Sequence, residues 1–229
     1  MQPAQLHALF PTLIYTAQLD DEEQHKDLFT GLMGKYGFET TSQLVQGEYA
    51  GKADMHLEPS LAPFMKMVTD HVQNFLSIYA LKTECFDYYV SKTCFAILDK
   101  PDAAIGPHSH SGSDVTFVYY VETPENAAPL RIMNTGIGEI MDGLLNSQRS
   151  LDRTLISEYN QYNCQYYMIE PKAGMLALFL GNTSHMVAPN ADLFAGRRLS
   201  VAGDVNLVLK REHNSFEVGK PSLDVWKKF

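Results

Sequence analysis

Along the first third of the chain the apolar positions recur at helical spacing. Leu28, Phe29, Leu32, Met33 and Tyr36 follow Asp20 and Asp21, which read as caps, and the pattern stops at Gly37. A second stripe, Phe64, Val68, Val72, Phe75, Leu76 and Tyr79, follows Pro59 and Ser60 at the three-and-four spacing of one buried helix face. Both read as packing helices, so residues 1–84 are expected to form a helical support. From Cys85 onward the period changes to that of strands, rich in Val, Ile, Phe, Tyr and Thr and cut by Gly, Pro and Asn. The segments expected to pair are Phe86–Leu98, Val115–Thr123, Leu130–Met133, Gln165–Glu170, Met175–Leu180, Ser184–Val187 and Arg198–Leu209. So many short strands without helices between them predict an antiparallel barrel or double-sheet jelly roll over 85–209, with the two helices covering one sheet. The polar stretch 134–164 interrupts it as a loop insertion, long enough to be a lid or binding loop. The tail 210–229 is polar apart from Val225, Trp226 and Phe229.

A length of 229 residues suits one domain with appendages better than two complete ones, and 45% hydrophobic with 20% charged residues describes a globular chain. Eighteen basic against 27 acidic residues leave a net charge of −9, which argues against nucleic-acid binding as the main activity. A small-molecule or peptide substrate is expected instead. Cys85, Cys94 and Cys164 are too few and too irregular for a disulfide framework or a cysteine zinc site, and a reducing cytoplasm fits them. The stretch MQPAQLHALFPTLIY lacks a basic start and is broken by Pro11, so no targeting or membrane segment is expected. Oligomeric state is not legible in the residues.

Two histidines stand in Gly106-Pro107-His108-Ser109-His110-Ser111-Gly112-Ser113-Asp114, directly before the strand that opens at Val115. In an extended segment, residues two apart point the same way, so both imidazoles can reach one ion. Alone, such a pair is as ordinary as any two histidines in a polar loop. His185 follows 75 residues after His110 (185 − 110), just past an apolar strand and the turn Gly181-Asn182-Thr183-Ser184. A jelly roll brings distant strand ends together, so His185 can complete three ligands on one side of a metal with positions left open. Thirteen residues on (198 − 185), Arg198 and Ser200 share a strand face, where a guanidinium fork and a hydroxyl suit a carboxylate. Arg197 points the other way and reads as surface.

These residues resemble the Fe(II)- and 2-oxoglutarate-dependent oxygenases, whose jelly-roll core carries HxD, a distal His and a following Arg, often as RxS. The nearer likeness is to a poorly characterised bacterial and phage branch with HxH before a VYYV-like strand. That branch is also similar in Leu9-Phe10-Pro11-Thr12, in the strand Gly174 to Phe179 and in Arg198-Leu199-Ser200, and the likeness spans most of residues 8 to 206. The resemblance implies a mainly β protein with N-terminal helices and a double-stranded β-helix (jelly-roll, cupin-like) core. It implies Fe(II) held by His108, His110 and His185, and 2-oxoglutarate held by Arg198 and Ser200. It further implies O2 as co-substrate, succinate and carbon dioxide as products, and hydroxylation of a peptide, amino acid or small metabolite.

The chain departs from the usual pattern at His110, where the superfamily has Asp or Glu, so the third ligand stays open between His110 and a carboxylate such as Asp114. Asp114 reads more simply as a turn residue or as an acceptor for an imidazole N–H. Either Tyr119 or Tyr120 faces the barrel interior, and an inward hydroxyl could bond the 2-oxoglutarate carboxylate, as a Tyr does in some members; alternation alone does not choose between them. Three neutral imidazoles also describe catalytic zinc sites. Two alternatives therefore stand beside the oxygenase: a cupin-like three-histidine dioxygenase that does not use 2-oxoglutarate, and a jelly-roll binding or structural module. In the insertion, Arg149, Arg153, Tyr159 and Tyr162 are candidates for substrate contact or plain solvated loop, and His7, His25, His56, His71 and His213 receive no role.

Overall fold

The structure is a computed structural model, and it describes residues 11–35, 39–42, 45–49, 54–135, 158, 160–189, 196–210 and 227–229. Leu9, Phe10, Arg149, Arg153, Tyr159, Trp226, His7 and His213 lie outside these residues. Among these residues two α-helices and twelve strands follow one another as β1 (Tyr15–Gln18), α1 (Glu22–Met33), β2 (Glu39–Ser42), β3 (Val45–Tyr49), α2 (Ala62–Ser77) and β4 (Phe86–Leu98). The order continues with β5 (Ala104–His108), β6 (Val115–Glu122), β7 (Leu130–Met133), β8 (Tyr166–Ile169), β9 (Met175–Leu180), β10 (His185–Val187), β11 (Arg198–Leu209) and β12 (Lys227–Lys228).

All strand pairings are antiparallel, in the order β1-β9-β6-β11-β4-β3-β5-β10-β7-β8, with β2 beside β3 and β12 beside β4. The order is that of a jelly roll: strands distant in sequence lie side by side, β11 between β6 and β4, and β10 between β5 and β7. Four of the seven strands read from the periodicity have the bounds read, namely Phe86–Leu98, Leu130–Met133, Met175–Leu180 and Arg198–Leu209. The expectation of a purely helical first third needs correction, because β1, β2 and β3 lie within it. These are strands of four or five residues, too short for periodicity to declare, and they exist through their partners: β1 adds to β9, and β3 bridges β4 to β5.

The sheet has two differently occupied faces. On one, Val115, Phe117, Tyr119 and Val121 of β6, Leu176 and Leu178 of β9, and Leu199, Val201 and Val205 of β11 pack against Phe29 of α1 and the buried stripe of α2. On the other, Val118 and Tyr120 join Ala177, Phe179, Leu130, Ile132, Ile169 and Val187 inside the barrel. Strand alternation thus divides one run of apolar residues between two cores. Each fully buried Phe or Leu contributes about 1.5–3 kcal/mol, so the helices are held mainly by this packing. Their caps contribute less: Asp21 is the N-cap of α1 but makes no side-chain cap hydrogen bond, and the helix closes at Gly34, before the expected Gly37.

Two glycines fix the strands that carry the site. A Cβ on Gly203 would lie 2.3 Å from the Phe117 ring, so only glycine lets β11 lie this close to β6. At Gly181 a Cβ would meet the Ser113 carbonyl oxygen at 2.2 Å. Gly181 there accepts a hydrogen bond from the His110 N–H at 2.7 Å and donates one to the Asp114 carbonyl at 3.1 Å. The loop holding His110 is thereby locked to the end of β9. The insertion between β7 and β8 leaves and returns at one place, because Asn134 donates from its N–H to the Gln165 carbonyl and from Nδ2 to the Cys164 carbonyl.

Candidate metal centre

His108 ends β5 and His185 begins β10, and the two are direct partners in the antiparallel ladder. Register therefore sets their rings side by side, with centroids 4.2 Å apart. His110, two residues beyond β5 and held by the Gly181 carbonyl, brings a third ring to 5.2 Å from each. One ligand atom of each histidine lies within 4.8 Å of the others, a spacing one ion can bridge. The 77 residues that separate His108 from His185 (185 − 108) are bridged by a single strand pairing.

Each ring's Nδ1 is already engaged by an oxygen. His108 Nδ1 meets the Gly106 carbonyl at 2.8 Å, His185 Nδ1 the Thr183 carbonyl at 2.9 Å, and His110 Nδ1 the Asp204 carboxylate at 2.5 Å. A carbonyl or carboxylate oxygen only accepts, so these partners place the proton on Nδ1 and leave each Nε2 lone pair free for a cation. Burial pushes His185 down to about 4 and lowers His108 as well, so both rings stay neutral at neutral pH, the form that binds metal. Asp114 is not part of the cluster. Its carboxylate accepts from the Leu207 N–H at 2.8 Å, which ties the start of β6 to β11.

The inner face of β11 carries Arg198, Ser200, Ala202 and Asp204 in alternation. At one end is Arg198, 3% exposed, its Nη1 donating to Ser200 Oγ at 3.3 Å, with Ser200 Oγ in turn near the Ala96 carbonyl at 3.4 Å. The guanidinium carbon lies 5.0 Å from the centre of the Tyr120 ring. Arg198 Nε is buried without a hydrogen-bond partner, the buried Tyr120 hydroxyl has only this guanidinium beside it, and no carboxylate pairs with Arg198 among the described residues. Burial raises the Tyr120 phenol, opposed by the nearby guanidinium charge. At the other end of the same face, Asp204 bonds His110 and also accepts from Thr116 Oγ1 at 3.3 Å.

The choice between the two tyrosines is made by the second core. Tyr119 faces the helices, packed on Phe29 and Phe64, with its hydroxyl 3.1 Å from His25 Nδ1; Tyr120 faces the barrel. Arg197 lies outside, paired with Glu122 at 2.5 Å. Asp204 was not among the residues singled out by sequence, although the two-residue step that joins Arg198 to Ser200 reaches it four residues further on. His25 and His71 meet Tyr119 and Tyr15, and His56 meets Thr93, so all three belong to the helix-side packing. Tyr162 is 55% exposed.

The fold is a jelly roll in which three histidines bring ligand atoms within 4.8 Å of one another, and a buried arginine has no carboxylate partner among the described residues. Residues 93–204, which hold every one of these side chains, match the family described as "Putative 2OG-Fe(II) oxygenase". That stretch is thus similar to an Fe(II)- and 2-oxoglutarate-dependent oxygenase domain, and the cofactors of that family are Fe(II) and 2-oxoglutarate. Among solved structures, a prolyl-4-hydroxylase from Pseudomonas putida is similar, with 15% identity, 85% of this chain and 92% of that one covered, and a TM-score of 0.53. An oxidoreductase of the 2OG-Fe(II) oxygenase family from Burkholderia pseudomallei covers 84% of each chain at 10% identity and a TM-score of 0.55. The epimerase SnoN, in complex with Fe3+, alpha ketoglutarate and nogalamycin RO, covers 95% of this chain and 90% of its own at 12% identity and a TM-score of 0.54. At these identities the likeness is one of fold. No curated protein matches the sequence. No helix among the described residues is long and apolar enough to cross a membrane.

Proposed function

We propose that His108, His110 and His185 hold Fe(II) through their Nε2 atoms, and that Arg198, Ser200 and Tyr120 hold the distal carboxylate of 2-oxoglutarate. The observation that carries this reading is the buried guanidinium, which has no counter-anion among the described residues. A buried charge is tolerated when it is paired, and among these residues Arg198 meets a hydroxyl and the Tyr120 side chain. Its Nε and the Tyr120 hydroxyl beside it together offer donors to one carboxylate. Ala202 is the small residue between the two ends of the β11 face.

When bound, the pair supplies the oxidation of a C–H bond by O2, with 2-oxoglutarate leaving as succinate and carbon dioxide. The residues of the chain contribute placement and exclusion. Carbonyl and carboxylate acceptors fix the imidazole rings before any ion arrives, so little ordering cost remains at binding. Phe179, whose ring centre is 4.7 Å from that of His185, and the apolar barrel interior keep water from one side of the site. The substrate read for this site is a peptide, amino acid or small metabolite, in a cytoplasmic setting.

The test is binding of 2-oxoglutarate to oxygen-free, Mn(II)-loaded protein, followed by oxygen-dependent formation of succinate by the Fe(II)-loaded form. Saturable binding that requires the metal, together with succinate release, is expected. Metal binding without any 2-oxoglutarate binding would move the three-histidine dioxygenase ahead. Failure to bind metal at all would leave a jelly-roll binding module.

A further inference from the structure

All three histidines donate from Nδ1, but only one acceptor is charged. His108 and His185 meet backbone carbonyls, whereas His110 meets Asp204, and both side chains of that pair are sheltered, at 13% and 12% exposure. Thr116 donates to the same carboxylate oxygen. Lys92 stands opposite Asp204 in the β11–β4 ladder yet makes no ion pair with it, so His110 is the one ionisable partner of this carboxylate among the described residues. The strand delivers Asp204 under tight constraint: Gly203 is pressed on the Phe117 ring, and the register shifts immediately after Asp204.

We propose that Asp204 is a positioning residue for the metal, holding the His110 ring with Nε2 toward the other two imidazoles and lending that ligand the negative charge a three-histidine set lacks. The proposal rests on the assignment of the three histidines as ligands. Neutral imidazoles leave a divalent ion's charge uncompensated, and a carboxylate hydrogen-bonded to the far nitrogen raises the basicity of the ligating one. A charge-assisted bond of this kind is also stronger and more directional than a carbonyl contact. His110 then spans the distance between ion and carboxylate that a shorter acidic ligand would close directly.

The test is a Mn(II) titration of the metal-free full chain, read as free Mn(II) by electron paramagnetic resonance. Asp204→Asn should weaken binding about 10–100-fold, the range for loss of such a partner. His110→Ala should cost at least as much, and the double variant should bind no more weakly than His110→Ala alone. An unchanged affinity in Asp204→Asn, or an undiminished further loss in the double variant, would overturn the proposal. A His110→Asp variant gives a second arm: with the carboxylate now at the metal, adding Asp204→Asn should change affinity less than about twofold, whereas a persisting 10-fold loss refutes the route through His110. His185→Ala separates the two levels of inference. If it too leaves Mn(II) binding intact, the ligand assignment itself fails; if it abolishes binding while Asp204→Asn does not, only the role of Asp204 falls. Should Asp204→Asn not fold, nitrogen-15 spectra of the wild-type metal-free chain decide, since His110 must carry its proton on Nδ1, and a proton on Nε2 would contradict the proposal.

Discussion

Neighbouring residues on the two faces of β6 and β11 have opposite fates. Tyr119 and Tyr120 are both fully buried, and Arg197 and Arg198 are adjacent cations. On the helix side the Tyr119 hydroxyl meets His25, and on the surface Arg197 meets Glu122. Inside the barrel, among the described residues, the Tyr120 hydroxyl has only the Arg198 guanidinium beside it and Arg198 has no anion. Under the proposed function, the inner face is the one that a ligand completes. Unsatisfied buried groups cost about 1–3 kcal/mol each, more when charged, so they persist where something outside the chain completes them.

The strongest way to break this comparison is at the histidines. His185→Ala or His108→Ala should abolish stoichiometric Mn(II) or Fe(II) binding while circular dichroism stays native, because both rings sit at strand ends and not in the helix-side core. Full occupancy in either variant removes that residue from the site.

Next is the arginine pair. Losing one partner of a buried ion pair costs about 3–5 kcal/mol, which at 1.4 kcal/mol per tenfold is roughly a hundredfold to several thousandfold in affinity. Arg198→Leu should therefore weaken 2-oxoglutarate binding by at least about two decades with metal binding little changed, and should leave the cofactor-free protein no less thermally stable. Arg197→Leu should leave 2-oxoglutarate affinity unchanged, since an exposed pair contributes about 0–1 kcal/mol to stability alone. Equal effects on 2-oxoglutarate from the two variants would erase the distinction between the faces.

Smaller but sharper is a pH effect on the metal-free protein. His185 is held near 4 in the fold against an ordinary 6.5, so the fold favours its neutral form. Its contribution is complete above pH 6.5 and is lost as the pH falls from 6.5 toward 4, because the unfolded chain takes up the proton first. The difference, 6.5 − 4 = 2.5 pH units, corresponds to about 3 kcal/mol. Urea melts across this window should flatten in His185→Gln, and an identical slope in both proteins contradicts the assignment.

The smallest expected effects separate the tyrosines. Tyr120→Phe should weaken 2-oxoglutarate binding by about 1.5–3 kcal/mol, the value of a hydrogen bond to a charged acceptor, with no loss of stability. Tyr119→Phe should reverse this, costing about 0.5–1.5 kcal/mol of stability through the lost His25 contact and nothing in affinity.

Much of the site was legible because it repeats at short periods. His108 with His110 and Arg198 with Ser200 are two-residue steps, and a strand turns such steps into shared faces wherever it lies. Long strands such as Phe86–Leu98 and Arg198–Leu209 carry enough alternating residues to announce their own bounds. Short ones do not: β1 and β3 are strands because β9, β4 and β5 offer them edges. Asp204 escaped for a related reason, since a lone acid in an apolar strand has no spacing partner until His110 arrives from another strand.

The sequence by itself determined the alternation of the core strands, the apolar stripes of the helices, and which side chains are chemically able to bind a cation or a carboxylate. Tertiary structure decided the rest. Alternation says that Tyr119 and Tyr120 face apart, but only the helices packed on one side of β6 make Tyr120 the inward one. The histidine cluster exists because β5 and β10 pair His108 with His185, and Asp204 meets His110 because β11 passes its loop. Periodicity is a property of the local backbone and can be read along the chain, whereas register is set by the total burial on both faces of the sheet together, a sum to which no single segment contains the answer.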